Sequence, residues 1–309
     1  MSVALFTHPA ALAHDTGPGH PECADRVRAV LRALEAPEFA PLLREIAPPA
    51  PLSALQPAHT QAHVEAILAL PQDSVTYIDA DTIFGPGSLA AALHAAGGAC
   101  AAVDAVMAGR VQAAFVAMRP PGHHAESGRA MGFCLFNYAA IAAFHARARW
   151  GLRRIAVVDF DVHHGNGTQE IFSPDAELFY ASSHQFPCYP GTGRASERGI
   201  ADNIVNAPLP PGAGGKEFRR AWAERIIPAL SAFRPECLII SAGFDAHAAD
   251  PLAQLELHEP DFTWVSEELL AVAQVHCPGR VVSLLEGGYD LTALASSAAA
   301  HVRALLRQP

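Results

Sequence analysis

Short apolar runs recur along the chain, and polar or glycine-rich residues directly follow each of them. Within a run the apolar residues occupy successive rather than alternate positions, which is typical of a strand buried on both faces. We therefore predict a set of buried strands, which lie at Val3–Phe6, Ala113–Ala117, Ile155–Asp159, Leu178–Ser182, Leu238–Ser241 and Val281–Leu285.

Segments with helical spacing separate most of these runs, whereas the proline-rich stretch Pro37–Pro57 is predicted to be a connector. The predicted helices are one that begins near Asp25, His59–Leu70, Ser88–Met107, Asn137–Arg149, Lys216–Phe233, Pro260–His276 and a last one that ends near Leu306. Gly97 and Gly98 inside the third helix indicate close packing against another element. The alternation predicts an α/β fold with a parallel sheet and helices on both faces. Because no repeat or low-complexity linker interrupts it, we predict a single domain over residues 1–309.

The stretch Ile155–Gly167, IAVVDFDVHHGNG, joins one predicted strand directly to a cluster of ionisable side chains: Asp159, Asp161, His163 and His164. Alternate side chains of an extended chain share a face, so Asp161 and His163 can converge on one point. Burying four such groups is costly unless a metal or dedicated partners compensate them. The pattern therefore indicates a metal site.

Asp245 directly follows another predicted strand and is the natural third ligand. Ligands bind at the carboxyl edge of an open α/β sheet, where the ends of neighbouring strands meet. Two carboxylates and one imidazole leave a divalent ion open positions, as in a catalytic rather than a structural site. Zinc suits this set, while Fe²⁺, Mn²⁺ and Co²⁺ remain open as substitutes.

A second cluster, His123 and His124, follows a strand within a Pro-Pro-Gly turn. Paired imidazoles beside a metal suit general base and general acid roles, since their unperturbed pKa lies near neutral pH. Asp159 and Asn166 are candidates to bind the far ring nitrogens and fix their tautomers. Tyr289, in a Gly-Gly-Tyr turn, is a candidate to stabilise a developing oxyanion.

Aromatic and acidic side chains lie in loops at the same predicted edge. Phe133, in the sequence Gly132-Phe133-Cys134, and Tyr189 can form an apolar slot for a linear side chain. Asp79 and Asp81 lie in a loop whose carboxylates can hold a substrate backbone.

Composition narrows the class of partners. Half of the chain is hydrophobic, 17% is charged, and the net charge is −10, which argues against a nucleic-acid-binding surface. The six cysteines form no CxxC pair, as expected of free thiols in a reducing compartment. The N-terminal sequence lacks a basic segment, and we expect no apolar run of membrane-spanning length. These features predict a soluble cytoplasmic protein without a membrane partner.

Six motifs together resemble the zinc-dependent histone deacetylase family, within the arginase/deacetylase fold. In chain order they are RPPGHHAE, GFCLFN, VDFDVHHGNGTQ, YPGTG, SAGFDAH and LEGGYDL. The resemblance extends from HPECADR at His20 to the last helix and is strongest to class II enzymes and their bacterial homologues, with Asn166 where class I members have Asp. It implies a three-layer α/β/α domain that hydrolyses an acyl amide on a long amine, with water activated on Zn²⁺.

The resemblance assigns residues to roles by their positions in the motifs. It implies Asp161, His163 and Asp245 as zinc ligands, His123 and His124 as the tandem histidines with Asp159 and Asn166 as partners, and Tyr289 at the oxyanion. It also implies Phe133, Gly132 and Tyr189 as tunnel lining, Asp79 or Asp81 at the rim, and a structural K⁺ at Asp159, Asp161, His163 and Ser182. Arg26, which position alone would leave solvated on its helix, matches an arginine near an internal exit channel.

The substrate stays open between acyl-lysine and acetylpolyamines. Polyamine deacetylases often carry an acid near the tunnel mouth, whereas Leu252 follows Asp250-Pro251 here, which favours acyl-lysine. A degenerate homologue that binds metal and partners without turnover is the non-enzymatic alternative. The arginase branch would need a second metal, for which Asp159 and His184 are weak candidates. Acyl length and oligomeric state are not fixed by the sequence.

Overall fold

A computed structural model describes residues 2–307, and its main feature is an eight-stranded sheet in which all neighbouring strands are parallel. The strand order is β2-β1-β5-β10-β9-β6-β7-β8, while β3 and β4 form a separate antiparallel pair. The strands are β1 (Val3–Thr7), β2 (Leu43–Ile46), β3 (Thr76–Tyr77), β4 (Ile83–Phe84), β5 (Ala113–Val116), β6 (Ile155–Asp159), β7 (Leu178–Gln185), β8 (Ile204–Leu209), β9 (Cys237–Ala242) and β10 (Val281–Leu285).

All six predicted strands are confirmed, and they fill the centre of the sheet, where both faces are buried and most residues are apolar. The prediction of a connector at 37–57 is wrong in part, because β2 and short helical turns lie within it. The sequence analysis also missed β8. The short strands β3 and β4 were missed as well. The two missed strands of the main sheet, β2 and β8, lie at its edges, where exposed positions and a proline such as Pro208 are tolerated and the apolar signal fades.

Helices cover the sheet in the α/β arrangement that the alternation predicts. They are α1 (Ala10–Ala13), α2 (Ala24–Ala33), α3 (Leu52–Leu55), α4 (Gln61–Leu68), α5 (Ser88–Met107), α6 (Tyr138–Trp150), α7 (Asn166–Phe172), α8 (Gly215–Ala221), α9 (Ile227–Phe233), α10 (Glu259–His276) and α11 (Leu291–Leu306). The predicted helix at 216–233 corresponds to α8 and α9 joined by a π-helical turn, Trp222–Ile226.

Polar residues of the motifs also start helices. Asn137 caps α6 by accepting a hydrogen bond from the backbone N–H of Ala140, and Asp290 caps α11 in the same way. Such caps satisfy backbone donors that a helix N-terminus leaves free. Each of these two motifs therefore also begins the helix that follows it.

The long helix α5 packs against β5 and α6. A Cβ added at Gly97 would lie 2.0 Å from the carbonyl oxygen of Pro48, so the predicted close approach is confirmed. The expectation that no apolar run reaches membrane-spanning length is wrong for this helix, since its 20 residues pass that test by length and composition. Two-thirds of the helix is buried inside the fold, as in the core helix of a globular domain.

The five strands that precede the polar motifs, β5, β10, β9, β6 and β7, are consecutive neighbours in the sheet. Their carboxyl ends therefore meet at one edge, although the residues that follow them range from 117 to 289 in the chain. This adjacency brings the motifs together.

Candidate active site

Asp161, His163 and Asp245 form a buried cluster at this edge. Strands β6 and β9 pair with Asp159 opposite Ser241, so the residues beyond their ends lie level with one another. The Nδ1 atom of His163 lies 3.2 Å from Asp161 Oδ1 and 3.2 Å from Asp245 Oδ2. The three side chains can offer ligand atoms that all lie within 4.8 Å of one another.

The donors around this cluster fit a divalent cation. Backbone N–H groups occupy the other carboxylate oxygens, with Val162 donating to Asp245 Oδ1 (2.9 Å) and Gly287 to Asp161 Oδ2 (2.8 Å). Asp245 Oδ2 is buried and accepts no hydrogen bond. Burial, and then the nearby Asp161 carboxylate, raise the pKa of Asp245. A cation would relieve both costs, and two carboxylates with one imidazole suit zinc and other first-row divalent metals.

The histidine pair lies beside this cluster, with the two ring centroids 4.0 Å apart. His123 Nδ1 is 2.9 Å from Asp159 Oδ2, and His124 Nδ1 is 2.8 Å from Asn166 Oδ1. Both hydrogen bonds that the sequence analysis predicted are therefore present.

The two imidazoles have opposite pKa shifts in the chain alone. Burial would lower the pKa of His123, but the carboxylates of Asp161 and Asp159 outweigh burial and raise it to about 10. Burial, together with the charges of His123 and His163, lowers the pKa of His124 well below its usual value. Near neutral pH, His123 is therefore the charged ring and His124 the neutral one.

A tyrosine that the sequence analysis missed supports Asp159. The hydroxyl of Tyr180 donates to Asp159 Oδ2 (3.1 Å) and accepts a hydrogen bond from the backbone N–H of Gly165 (2.9 Å). Tyr180 lies in β7 and is fully buried. The available signal was a hydroxyl group within an otherwise apolar strand, because a buried tyrosine hydroxyl usually has a partner.

A second missed residue, Glu286, braces the loop that carries the histidine pair. Its Oε2 accepts hydrogen bonds from the backbone N–H groups of Gly122 (2.7 Å) and His123 (3.1 Å), and its Oε1 accepts one from the Ser241 hydroxyl (3.0 Å). Burial raises the pKa of Glu286 to about 7, although His123 acts to lower it. Its place at the head of the LEGGYDL motif was the signal that could have indicated this role.

Tyr289 extends from the turn after β10. Its backbone N–H donates to Asp250 Oδ2 (2.7 Å), and its ring lies edge-on to Phe133 with the centroids 5.8 Å apart. The glycine two residues before Tyr289 is required, since a Cβ at Gly287 would lie 2.0 Å from Asp245 Oδ2. Burial raises the pKa of Tyr289, despite the opposing charge of Arg26, so the phenol stays protonated at neutral pH.

Arg26 is fully buried, so the expectation of a solvated helix residue is wrong. Its guanidinium lies 4.7 Å from the centroid of the Tyr289 ring and donates to the carbonyl oxygens of Gly288 and Glu286, both at 2.5 Å. The charge is compensated by Glu22, whose Oε1 is 3.1 Å from Arg26 Nη1.

Glu22 also pairs with a second buried arginine, Arg119, through two hydrogen bonds of 2.7 and 2.6 Å. Burial alone would raise the pKa of Glu22, but Arg119 and then His14 hold it well below its usual value. The sequence analysis missed both residues, because only the fold brings position 22 next to position 119.

A cavity of about 210 Å³ reaches the histidine pair and the candidate metal cluster. It is lined by Asp81, Pro121, His123, His124, Gly132, Phe133, His163, Tyr189, Leu252 and Tyr289. Every residue expected at the tunnel lines this cavity except Asp79. Gly132 has φ +56°, and a Cβ there would lie 2.5 Å from the His124 ring.

The two candidate rim acids have different places. Asp81 lines the cavity, and burial, followed by the charge of Asp79, raises its pKa. Asp79 Oδ1 instead accepts hydrogen bonds from the backbone N–H groups of Asp81 (3.1 Å) and Thr82 (2.6 Å). Asp79 therefore shapes the turn that presents Asp81.

The remaining candidates do not join the metal cluster in the described residues. The ring nitrogens of His184 lie 2.8 Å from Ser182 Oγ and 2.9 Å from the carbonyl oxygen of Gly193. His164 contacts Thr192 and Gln169, away from the cavity. Asp159 is occupied by His123 and Tyr180, so the second-metal arrangement of the arginase branch gains no support.

A parallel α/β sheet with a buried Asp–His–Asp cluster and paired histidines at its carboxyl edge defines an amidohydrolase-type site. A family model for the histone deacetylase domain matches residues 20–305 of the chain. The chain therefore belongs to the histone deacetylase family.

Two relatives and one solved structure are similar to most of this chain. An uncharacterized protein of Synechocystis is 40% identical over 98% of this chain and 99% of its own. The histone deacetylase-like amidohydrolase of Pseudomonas aeruginosa is 39% identical, over 88% of this chain and 73% of its own. The crystal structure of the HDA15 HD domain superposes with a TM-score of 0.94 at 36% identity, covering 99% of this chain and 90% of that one. Deacetylase or amidohydrolase activity is accordingly the family's chemistry.

Proposed function

We propose that the protein is a zinc-dependent deacylase that removes an acetyl-type group from the side-chain amine of acyl-lysine in a peptide or protein. One observation supports this proposal above all. Asp245 Oδ2 is buried, accepts no hydrogen bond and faces His163 beside a cavity of about 210 Å³. Such a cavity accommodates a linear side chain between Phe133 and Tyr189.

Asp161, His163 and Asp245 would hold the zinc ion, which supplies Lewis acidity toward the amide carbonyl and lowers the pKa of water. Fe²⁺ or Co²⁺ could take its place, because the ligand set does not discriminate strongly among them.

His124 is the proposed general base. Its Nδ1 faces the carbonyl oxygen of Asn166, so Nδ1 carries the hydrogen and Nε2 carries the lone pair. Its lowered pKa keeps the ring neutral, ready to accept a proton from the attacking water and return it to the leaving amine. His123, whose Nδ1 is held by the Asp159 carboxylate, is proposed to carry the positive charge that stabilises negative charge developing in the transition state.

Tyr289 is proposed to donate a hydrogen bond to the carbonyl oxygen as its negative charge develops. The hydroxyl is protonated at neutral pH, and Arg26 packs on its ring. Asp81 is proposed to accept a hydrogen bond from the backbone N–H of the acyl-lysine, since it lines the cavity where Asp79 does not.

Acetylpolyamine hydrolysis is the second candidate. The carboxylates of Asp79 and Asp81 and the net charge of −10 would attract a cationic polyamine. Against it, Leu252 gives the cavity a neutral wall at the position where polyamine enzymes often carry an acid. A degenerate binding protein is disfavoured, because ligands, histidines and Tyr289 all converge on one cavity.

Two further expectations stay proposals. A structural K⁺ would use Asp159, Asp161, His163 and Ser182, of which Asp159 and Ser182 face each other across β6 and β7. The cytoplasm suits a chain whose six cysteines are all free, two of them partly exposed.

The deciding experiment measures release of free amine by the zinc-loaded protein. An acetyl-lysine peptide, acetylputrescine and acetylspermidine are compared by kcat/KM, with Tyr289→Phe as the inactive control. Preference for the peptide supports the proposal. Preference for the polyamines would assign the second candidate, and no release from any substrate would contradict both.

A further inference from the structure

A surface groove of about 500 Å³ lies beside the mouth of the active-site cavity. One wall is formed by Ile67 of α4 and by Leu70, two residues beyond the end of that helix. The other wall is formed by Tyr77 and Ile78 of the β3–β4 hairpin with the segment 128–130. Ile67 is nearly fully buried at the bottom of the groove, whereas 69% of Tyr77 is exposed. The groove is therefore largely apolar and open to solvent.

The same two loop segments separate the groove from the cavity. Asp79 borders the groove and Asp81 the cavity, and the two are joined by a hydrogen bond of 3.1 Å within one turn. Likewise, Ala130 borders the groove while Phe133 lines the cavity. A peptide that inserts one side chain into the cavity therefore lays neighbouring residues over this groove.

Arg129 provides a charge at this junction. It is exposed, and no carboxylate in residues 2–307 lies within 4.0 Å of its guanidinium. Its backbone is fixed, since its carbonyl oxygen accepts a hydrogen bond from Glu126 N–H (2.9 Å), and Ser127 is bonded in turn to Thr60 (2.8 Å). The chain has a net charge of −10, yet the Arg129 guanidinium lies on a fixed backbone without a carboxylate partner. Arg129 is therefore suited to pair with an acidic side chain of a bound peptide.

We propose that the groove binds the residues of a peptide substrate that flank the acyl-lysine, with an apolar side chain over Ile67 and Ile78 and an acidic side chain paired with Arg129. This inference rests on the proposed deacylase function. The preferred substrates of the protein would then be peptides with an acidic residue near the acyl-lysine. Acetylpolyamines carry neither group and gain nothing from the groove.

The test compares acetyl-lysine peptides in which one glutamate is moved through the flanking positions with matched glutamine and lysine peptides. A minimal acetyl-lysine amide without flanking residues reports the cavity alone. Arg129→Glu removes the positive charge from the groove, and Arg149→Glu is its control. Arg149 is an exposed arginine at the end of α6, near the start of β6, and so lies at the sheet edge opposite the active site. Ala66→Phe fills the groove, and Ala62→Phe is its control, since Ala62 is an exposed residue of the same helix that does not line the groove.

The parent protein should prefer the best glutamate peptide over its glutamine counterpart by roughly fivefold in kcat/KM, the scale of an exposed ion pair. Arg129→Glu should transfer that preference to the lysine peptide, and Ala66→Phe should slow all peptides relative to the minimal amide. If Arg129→Glu leaves the ranking of the peptides unchanged, or Ala66→Phe slows peptides and minimal amide equally, the groove proposal is wrong. Failure of the parent protein to cleave even the minimal amide would instead overturn the deacylase function, and the groove proposal with it.

Discussion

Asn166 fixes the tautomer of His124. The Asn166 amide nitrogen donates to Glu126 Oε1 at 2.8 Å, which orients the amide and turns its oxygen toward His124 Nδ1, also at 2.8 Å. An amide oxygen can only accept a hydrogen bond, so the hydrogen of the neutral ring lies on Nδ1. The basic Nε2 atom is thereby left on the other side of the ring, and this neutral partner adds no negative charge that would raise the pKa of His124.

Replacing this amide with a carboxylate should change the pH dependence. In Asn166→Asp the negative charge stabilises imidazolium and raises the pKa of His124, by about one unit or more. Because His124 must be neutral to act as base, the acid limb of the kcat profile should move to higher pH. Since Asp would face Glu126, the same measurement on Asn166→Asp/Glu126→Gln separates the charge on His124 from repulsion between carboxylates. An unmoved acid limb in both variants would refute His124 as the base.

Loss of the Tyr289 hydroxyl should reduce catalysis without releasing metal. Removing one oxyanion donor costs about 100- to 1000-fold in kcat, so Tyr289→Phe should fall in that range with an unchanged zinc content. Tyr138→Phe is the matched control, because the Tyr138 hydroxyl is buried without a partner and its loss should leave both kcat and stability intact. Near-normal kcat for Tyr289→Phe would disprove the oxyanion role.

Asp245→Asn should have opposite effects on stability with and without metal. The buried carboxylate is costly in the chain alone, as its raised pKa shows, so the metal-free variant should unfold at a higher temperature than the metal-free parent. Zinc should then raise the Tm of the parent but not that of the variant, because binding to the native state alone stabilises it. Thermal scans with zinc and with chelator measure both effects. Equal zinc-induced shifts would show that Asp245 is not a ligand.

Glu22 should make stability depend on acid pH. Its pKa in the folded protein is far below the ordinary glutamate value of 4.5, so its stabilising contribution is present above about 4.5 and is lost as the pH falls below that value. Glu22→Gln should cost about 3–5 kcal/mol at neutral pH, because Arg26 and Arg119 stay buried without their carboxylate. The difference in unfolding free energy between parent and variant should shrink as the solution is acidified.

The exposed pair formed by Glu38 and Arg303 supplies the control for that experiment. Glu38→Gln should lower the unfolding free energy far less than Glu22→Gln does, since solvent screens an exposed ion pair. A Glu22→Gln loss as small as this control would mean that the buried network does not stabilise the fold.

The local pattern of apolar and polar residues was sufficient to predict the central strands of the sheet and the site residues that follow them. Each central strand is buried on both faces, and the residues proposed as ligands or bases lie within a few positions of a strand end, so spacing alone groups them. The edge strand β2 was not predictable in this way, because three of its four side chains are exposed and prolines lie on both sides of it in the sequence.

The roles of residues whose partners are distant in sequence could not be predicted from local pattern. Arg26 resembles any polar helix residue until Glu22 and the carbonyl of Gly288, 262 positions away, are brought against it. Tyr180 and Glu286 likewise act through contacts across neighbouring strands. The choice between Asp79 and Asp81 depended on a two-residue turn whose hydrogen bonds only coordinates reveal.

The position of β10 has a consequence for biosynthesis. Among the strands in residues 2–307, β10 is the last to be synthesised, yet it lies between β5 and β9 and is the one strand that joins the β2-β1-β5 part of the sheet to the rest. In a nascent chain that ends before Val281, the sheet is therefore divided into two parts. The strands β5 and β9, which β10 joins in the complete sheet, are then unpaired on the sides that face each other. Such a chain already has the Asp–His–Asp cluster but lacks the turn with Gly287 and Tyr289, so the chain must emerge from the ribosome at least as far as Tyr289 before the site can be completed.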